Sequence, residues 1–107
     1  MSDLFEDREK ALENKYAREE DLRFEIDSSA IRLFGLWAAN QLGYKNASAI
    51  EYANKIYDIY VREQGLPNAI RFIKDCFTAK GLLISEERLR SLFNLYEERA
   101  RRIVGRL

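Results

Sequence analysis

The sequence predicts an all-α protein, a small four-helix bundle with a mobile N-terminal arm that extends helix 1. Three observations predict this class. Apolar residues recur at helical intervals along most of the chain, no stretch alternates with the period of two typical of strands, and glycine or proline interrupts the pattern near Gly43, at 65–67 and at Gly81. The 107 residues suit one domain. We expect an arm of residues 1–18 and a bundle of residues 19–107.

The first predicted helix is long and runs from about Leu4 to Leu42. Its second half carries an apolar stripe at intervals of three and four residues, formed by Leu22, Ile26, Ala30, Leu33 and Trp37. Such a stripe indicates packing on a core. Gly43 stands where a left-handed residue would end the helix.

The second helix is expected to begin at Ser48, because Ser48 and Glu51 have the spacing of a capping box. Its predicted buried side is formed by Ile50, Ala53, Tyr57, Tyr60 and Val61.

The third helix is expected to begin at Pro67, since proline in the first helical turn loses no hydrogen bond. Ile70, Ile73 and Phe77 are predicted to face the core, and Gly81 to end the helix.

The fourth helix has the clearest pattern. Ser85 is the predicted N-cap, with Glu86 and Glu87 at the positive end of the helix dipole and several arginines at the negative end. A wide apolar stripe follows, formed by Leu89, Leu92, Phe93, Tyr96, Ala100, Ile103, Val104 and Leu107.

Residues 1–25 differ from the rest of the chain. They carry nine acidic and five basic side chains, a net charge of −4. Phe5, Leu12 and Tyr16 are spaced by seven and four residues, so a helix would place them on one narrow edge. Two interpretations stay open here: a solvated extension of the first helix, or a recognition segment that becomes helical on a partner.

The composition argues against several classes of function. Acidic and basic residues are equal in number, at 18 each, which leaves no basic excess for nucleic acid. Histidine is absent and Cys76 is the single cysteine, so we expect no enzyme activity, no cofactor and no metal site. No apolar run is long enough to cross a bilayer, and the acidic start is unlike a secretory signal. We expect a cytoplasmic protein that acts by binding another protein.

The N-terminal residues resemble a known family. The run Phe-Glu-Asp-Arg-Glu-Lys-Ala-Leu-Glu-Asn-Lys-Tyr-Ala at 5–17 is similar to the opening of the zeta subunit, an inhibitor of alphaproteobacterial F-type ATP synthases that was formerly a domain of unknown function. The similarity continues through Leu-Arg-Phe at 22–24, Leu-Trp-Ala-Ala at 36–39 and Leu-Gly at 42–43. It is dense over roughly the first 43 residues and rests on helix lengths and breaks beyond them.

The resemblance implies a regulatory protein that binds the head and rotor of the ATP synthase and thereby lies peripheral to the inner membrane. The arm would insert as a helix between catalytic and non-catalytic subunits and block ATP hydrolysis. Carried over to this sequence, Phe5, Leu12 and Tyr16 would be buried anchors. Polar contacts would come from Asp7, Arg8, Glu9, Lys10, Glu13 and Lys15.

Two departures from the family pattern bear on inhibitory strength. Arg18 stands where several relatives carry histidine, and Ile-Asp-Ser-Ser at 26–29 replaces a more basic stretch. A bundle with weak or lost ATPase inhibition is therefore an alternative, as a general cytosolic helical adaptor or as a nucleotide-sensing bundle with weak nucleotide binding. In the nucleotide-sensing bundle, the phosphates would bind to Arg99, Arg101, Arg102 and Arg106. Complementation of the helix dipole explains these arginines more simply.

Overall fold

The structure, a computed structural model, describes residues 3–62 and 65–104, with side chains described from residue 21 onward. Over this part of the chain it contains four helices and no strand: α1 (Asp3–Gln41), α2 (Ala47–Arg62), α3 (Leu66–Ala79) and α4 (Glu86–Val104). The predicted all-α class is confirmed. The expected arm, 1–18, falls outside the residues with described side chains, so its separation from the bundle stays a prediction.

The second half of α1 is the centre of the bundle. It packs on both α2 and α4, and α3 closes the bundle by contacting α2 and α4. Phe34 is fully buried at the middle of this core. Its ring stacks on Trp37 at 5.7 Å between centroids and meets Phe93 edge-on at 5.8 Å, and Trp37 in turn lies 5.9 Å from Phe77. These aromatic contacts link α1, α3 and α4.

Glycine ends two of the helices as predicted. After α1, the N–H of Gly43 donates to the carbonyl of Asn40 and the N–H of Tyr44 donates to the carbonyl of Ala39, at 3.1 and 2.9 Å. This is a Schellman motif, and Gly43 adopts the left-handed φ of 89° that it requires. A second Schellman motif follows α3. There the N–H of Gly81 donates to the carbonyl of Thr78, the N–H of Leu82 donates to the carbonyl of Phe77, and Gly81 has a φ of 76°.

The start of α4 agrees with the prediction from the sequence, whereas the start of α2 does not. The hydroxyl of Ser85 accepts a hydrogen bond from the N–H of Arg88 at 3.0 Å, so the predicted cap is confirmed. At α2 the predicted cap is wrong. The helix begins at Ala47, and the hydroxyl of Ser48 instead bonds backward to the N–H and carbonyl of Lys45. The positive φ of Asn46, 55°, turns the chain into the helix before Ser48 is reached.

The buried side of α2 also differs from the prediction. Ile50 and Val61 are exposed, whereas Tyr52 and Ile56 are buried together with Ala53. A close approach of α1 and α2 explains the difference. A Cβ atom on Gly35 of α1 would lie 3.0 Å from the Cα of Ala53, so a larger residue would require the helices to shift by a few tenths of an ångström. Contact at Ala53 turns the neighbouring Tyr52 and Ile56 inward.

No helix, over the residues described, combines the length and the apolar character that crossing a bilayer requires.

Candidate partner-binding surface

The predicted contact residues all lie in the first half of α1. Helix α1 runs through all nine positions, which are Phe5, Asp7, Arg8, Glu9, Lys10, Leu12, Glu13, Lys15 and Tyr16. Their side chains fall outside the described residues, and their role in binding stays a prediction.

The described residues that follow the arm are solvent-exposed. Every residue from 21 to 25 is exposed, and among the described side chains of α1 the first that is fully buried is Ala30. With 39 residues, α1 is about 58 Å long at 1.5 Å per residue, much longer than the 16-residue α2 beside it. Among the described side chains of α1, burial against the bundle begins at Ile26 and is first complete at Ala30.

A surface hollow lies where α1 enters the bundle. Its volume is about 320 Å³. It is lined by Phe24, Glu25, Ser28, Ser29, Arg32, Tyr57, Ile103 and Val104. Phe24 is 63% exposed and Ile103 is 56% exposed, so the hollow presents two large apolar side chains to solvent. The Arg32 guanidinium lies over the Tyr57 ring, 4.7 Å from its centroid, and forms one wall.

Sequence reasoning missed Phe24. It lies off the stripe that Leu22, Ile26 and Ala30 form, and a large apolar side chain out of phase with a stripe is a signal that could have revealed it. A neighbouring hollow, lined by Leu22, Arg23, Ile26, Asp27 and Arg101, lies at the same end of the bundle.

The arginines near the end of α4 make contacts within their own helix. Arg101 pairs with Glu97 at 3.2 Å, and the Arg99 guanidinium lies 5.5 Å from the centroid of the Tyr96 ring. Arg102 lines a shallow hollow on α4. Arg106 lies outside the described residues. A phosphate group would compete with these contacts.

Two tyrosine hydroxyls have raised pKa values. Burial raises the pKa of Tyr60, and the negative charges of Asp27 and Glu97 raise it further, so this hydroxyl stays neutral beside the root of the arm. Burial also raises the pKa of Tyr52, with a smaller effect of the Cys76 thiol. The Tyr52 hydroxyl makes no hydrogen bond of ordinary geometry, to that thiol or to any other described group. The Cys76 thiol is nevertheless close enough to contribute to the raised pKa of this hydroxyl.

The described residues contain no group of three or more histidine, cysteine, aspartate or glutamate side chains that could hold a metal ion. The surface offers apolar and charged contacts, which suit binding to another protein.

Comparison with protein families identifies the family of the chain. A family model described as ATPase inhibitor subunit zeta matches residues 1–102 of the chain. No curated protein and no solved structure matches it.

Proposed function

The chain belongs to the ATPase inhibitor subunit zeta family, and from this premise we propose that it binds the catalytic head of the F-type ATP synthase and blocks ATP hydrolysis by inserting its N-terminal segment as a helix. The family is that of an ATPase inhibitor subunit, which supports a role in inhibitory regulation. The observation that carries the proposal is the extent of the match, which includes the arm and nearly all of the bundle, at residues 1–102.

The continuity of α1 favours insertion as a helix. A free peptide must form a first helical turn at an unfavourable nucleation step, whereas extension of an existing helix adds one hydrogen bond per residue. Because α1 is held in the bundle from Ala30 onward, it supplies that existing helix. Helix α1 continues through residues 3–18, so the arm needs no nucleation step of its own.

The proposed contacts divide into apolar anchors and polar partners. Phe5, Leu12 and Tyr16 enter a groove between catalytic and non-catalytic subunits near the rotor, where a helix obstructs rotation. Asp7, Arg8, Glu9, Lys10, Glu13 and Lys15 bind polar groups along the groove. The protein itself catalyses nothing and is cytoplasmic, held at the inner membrane through the ATP synthase.

Steady-state ATP hydrolysis by the purified head complex tests this proposal. We expect the whole chain to slow hydrolysis, and a variant with Phe5→Ala, Leu12→Ala and Tyr16→Ala to lose at least 100-fold in potency, because three anchors of about 1.5–3 kcal/mol each are removed. Alanine favours helix, so loss of helicity does not explain that result.

Asn14→Ala is the matched control, since it changes the same segment without touching a predicted contact. The proposal fails if a large excess of the whole chain leaves hydrolysis unchanged. The insertion mechanism alone fails if the triple variant inhibits as well as the unchanged chain.

A further inference from the structure

The end of the bundle where α1 enters carries two large apolar side chains that face water. Phe24 on α1 and Ile103 on α4 are both more than half exposed and line the same hollow. Single exposed apolar side chains are ordinary, but large ones from two helices around one hollow make a patch of the kind that marks contact sites. We call Phe24, Ile103 and Val104 the apolar foot of the arm.

Helical phase shows which side of α1 the foot lies on. Phe24 is seven residues before Ile31, so the two positions differ by about 20° around the helix axis. Ile31 is fully buried against the bundle. Phe24 therefore continues the bundle-facing side of α1 into the region where the bundle no longer covers it.

The predicted anchor positions lie about 80–120° around the axis of α1 from Phe24, in phase with Ala30 and Phe34. Leu12 and Ala30 are eighteen residues apart, and so are Tyr16 and Phe34. Eighteen residues are five full turns at 3.6 residues per turn, so each pair occupies one side of α1. Ala30 and Phe34 are fully buried in the core. A protein that covers the anchor positions would lie beyond the end of the bundle, and Tyr16 is about 12 Å along α1 from Phe24 at 1.5 Å per residue.

We propose that the apolar foot is a second contact with the same ATPase head subunit that receives the arm. This inference rests on the function proposed above. The occupant is an apolar side chain of that subunit, at the mouth of the groove, seated in the hollow between Phe24 and Ile103. The serines and charged groups around the hollow, Glu25, Ser28, Ser29 and Arg32, form its polar rim.

Contact at the apolar foot adds buried apolar surface to that of the three anchors in the arm. The arm offers three predicted anchors for burial, Phe5, Leu12 and Tyr16. The foot lies on helices that are already packed, so its burial requires no further ordering of the backbone.

Surface plasmon resonance with the purified head complex tests the inference on full-length chains. We expect Phe24→Ala and Ile103→Ala each to raise the Kd about tenfold, and the double variant to raise it further, since each change removes an apolar contact. Phe24→Leu should stay close to the unchanged chain. Leu83→Ala and Leu95→Ala are matched controls, because these side chains are 98% and 60% exposed and are not among the residues that line the hollow, and we expect changes within about twofold.

Two outcomes would overturn the inference. A double variant that binds within twofold of an inhibitory unchanged chain shows that the foot makes no contact, and leaves the proposed function intact. An unchanged chain that does not bind the head overturns both. The midpoint of thermal unfolding, followed by circular dichroism, should stay the same for all variants, which separates lost contact from lost folding.

Discussion

At the scale of single residues, the contact between Gly35 and Ala53 sets the packing of α1 on α2. We expect Gly35→Ala to destabilise the bundle by about 1–3 kcal/mol, because the new Cβ would lie 3.0 Å from the backbone of Ala53 and force the helices apart. The gain of about 0.5–1 kcal/mol from replacing glycine inside a helix is smaller. Urea unfolding followed by circular dichroism measures the difference.

The control for this prediction is Asn40→Ala, an exposed position near the end of the same helix. It should change stability by no more than a few tenths of a kcal/mol. Equal stability of Gly35→Ala and the unchanged chain would show that α2 can move aside without cost.

Tyr52 gives a prediction that depends on pH. Because burial raises its pKa, the folded protein keeps Tyr52 protonated at a pH where the unfolded chain, with a pKa near 10, ionises it. The contribution of protonated Tyr52 to the free energy of unfolding is therefore complete below about pH 10, and it is lost as the pH rises above that value. We expect Tyr52→Phe to reduce the loss of stability between about pH 9 and 11, measured by urea unfolding across this range.

At neutral pH the same variant should be as stable as the unchanged chain, or more stable by about 1 kcal/mol, because it removes a buried hydroxyl without a hydrogen bond. A variant that is much less stable at pH 7 would show that this hydroxyl makes a useful bond. Tyr60 also has a raised pKa, so some alkaline sensitivity should remain.

At the scale of elements, the unbroken course of α1 joins the arm to the bundle. We expect Asp21→Pro to weaken ATPase inhibition by more than tenfold, because proline inside a helix costs about 3 kcal/mol and breaks α1 between its two halves. Bundle stability should change little, since Asp21 is exposed and precedes the first fully buried residue, Ala30. ATP hydrolysis by the head complex and thermal unfolding together measure both effects.

Asp21→Ala removes the same charge without breaking the helix and should inhibit like the unchanged chain. Full inhibition by Asp21→Pro would mean that the arm acts without a continuous connection to the bundle.

The elements were largely predictable from the sequence, because local chemistry sets them. Glycine at 43 and 81 supplies the left-handed residue after α1 and α3, and Ser85 caps α4. The start and rotation of α2 were not predictable. They depend on the turn at Asn46 and on the fit of Ala53 to Gly35, which is a contact between residues distant in sequence.

The candidate site was also predictable from the sequence only in part. Spacing alone placed Phe5, Leu12 and Tyr16 on one edge of a helix. The hollow between Phe24 and Ile103 could not be predicted, because it requires knowing that α4 reaches α1 at that point. Charge counts also gave no sign of it.

At the scale of the whole molecule, the arm and the bundle should bind together. Three anchors contribute about 5–9 kcal/mol, whereas ordering fifteen residues from coil costs about 15–25 kcal/mol. We expect an isolated 1–18 peptide to inhibit ATP hydrolysis about 100-fold less well than the whole chain, because docking of the bundle raises the local concentration of the arm. Concentration–response curves for peptide and chain give the ratio.

Adding residues 19–107 as a separate chain beside the peptide should not restore potency, because the linkage is then missing. A peptide as potent as the whole chain would show that the bundle contributes nothing to binding.

The aromatic centre of the bundle has a practical consequence. Trp37 is the only tryptophan of the chain, and it is held against Phe34 and Phe77 in the core. Its intrinsic fluorescence therefore reports on this core alone, whereas far-ultraviolet spectra average over every helical residue, including the first half of α1. When both signals are recorded in one titration with denaturant, a gap between the two curves isolates the melting of the N-terminal turns without any added label.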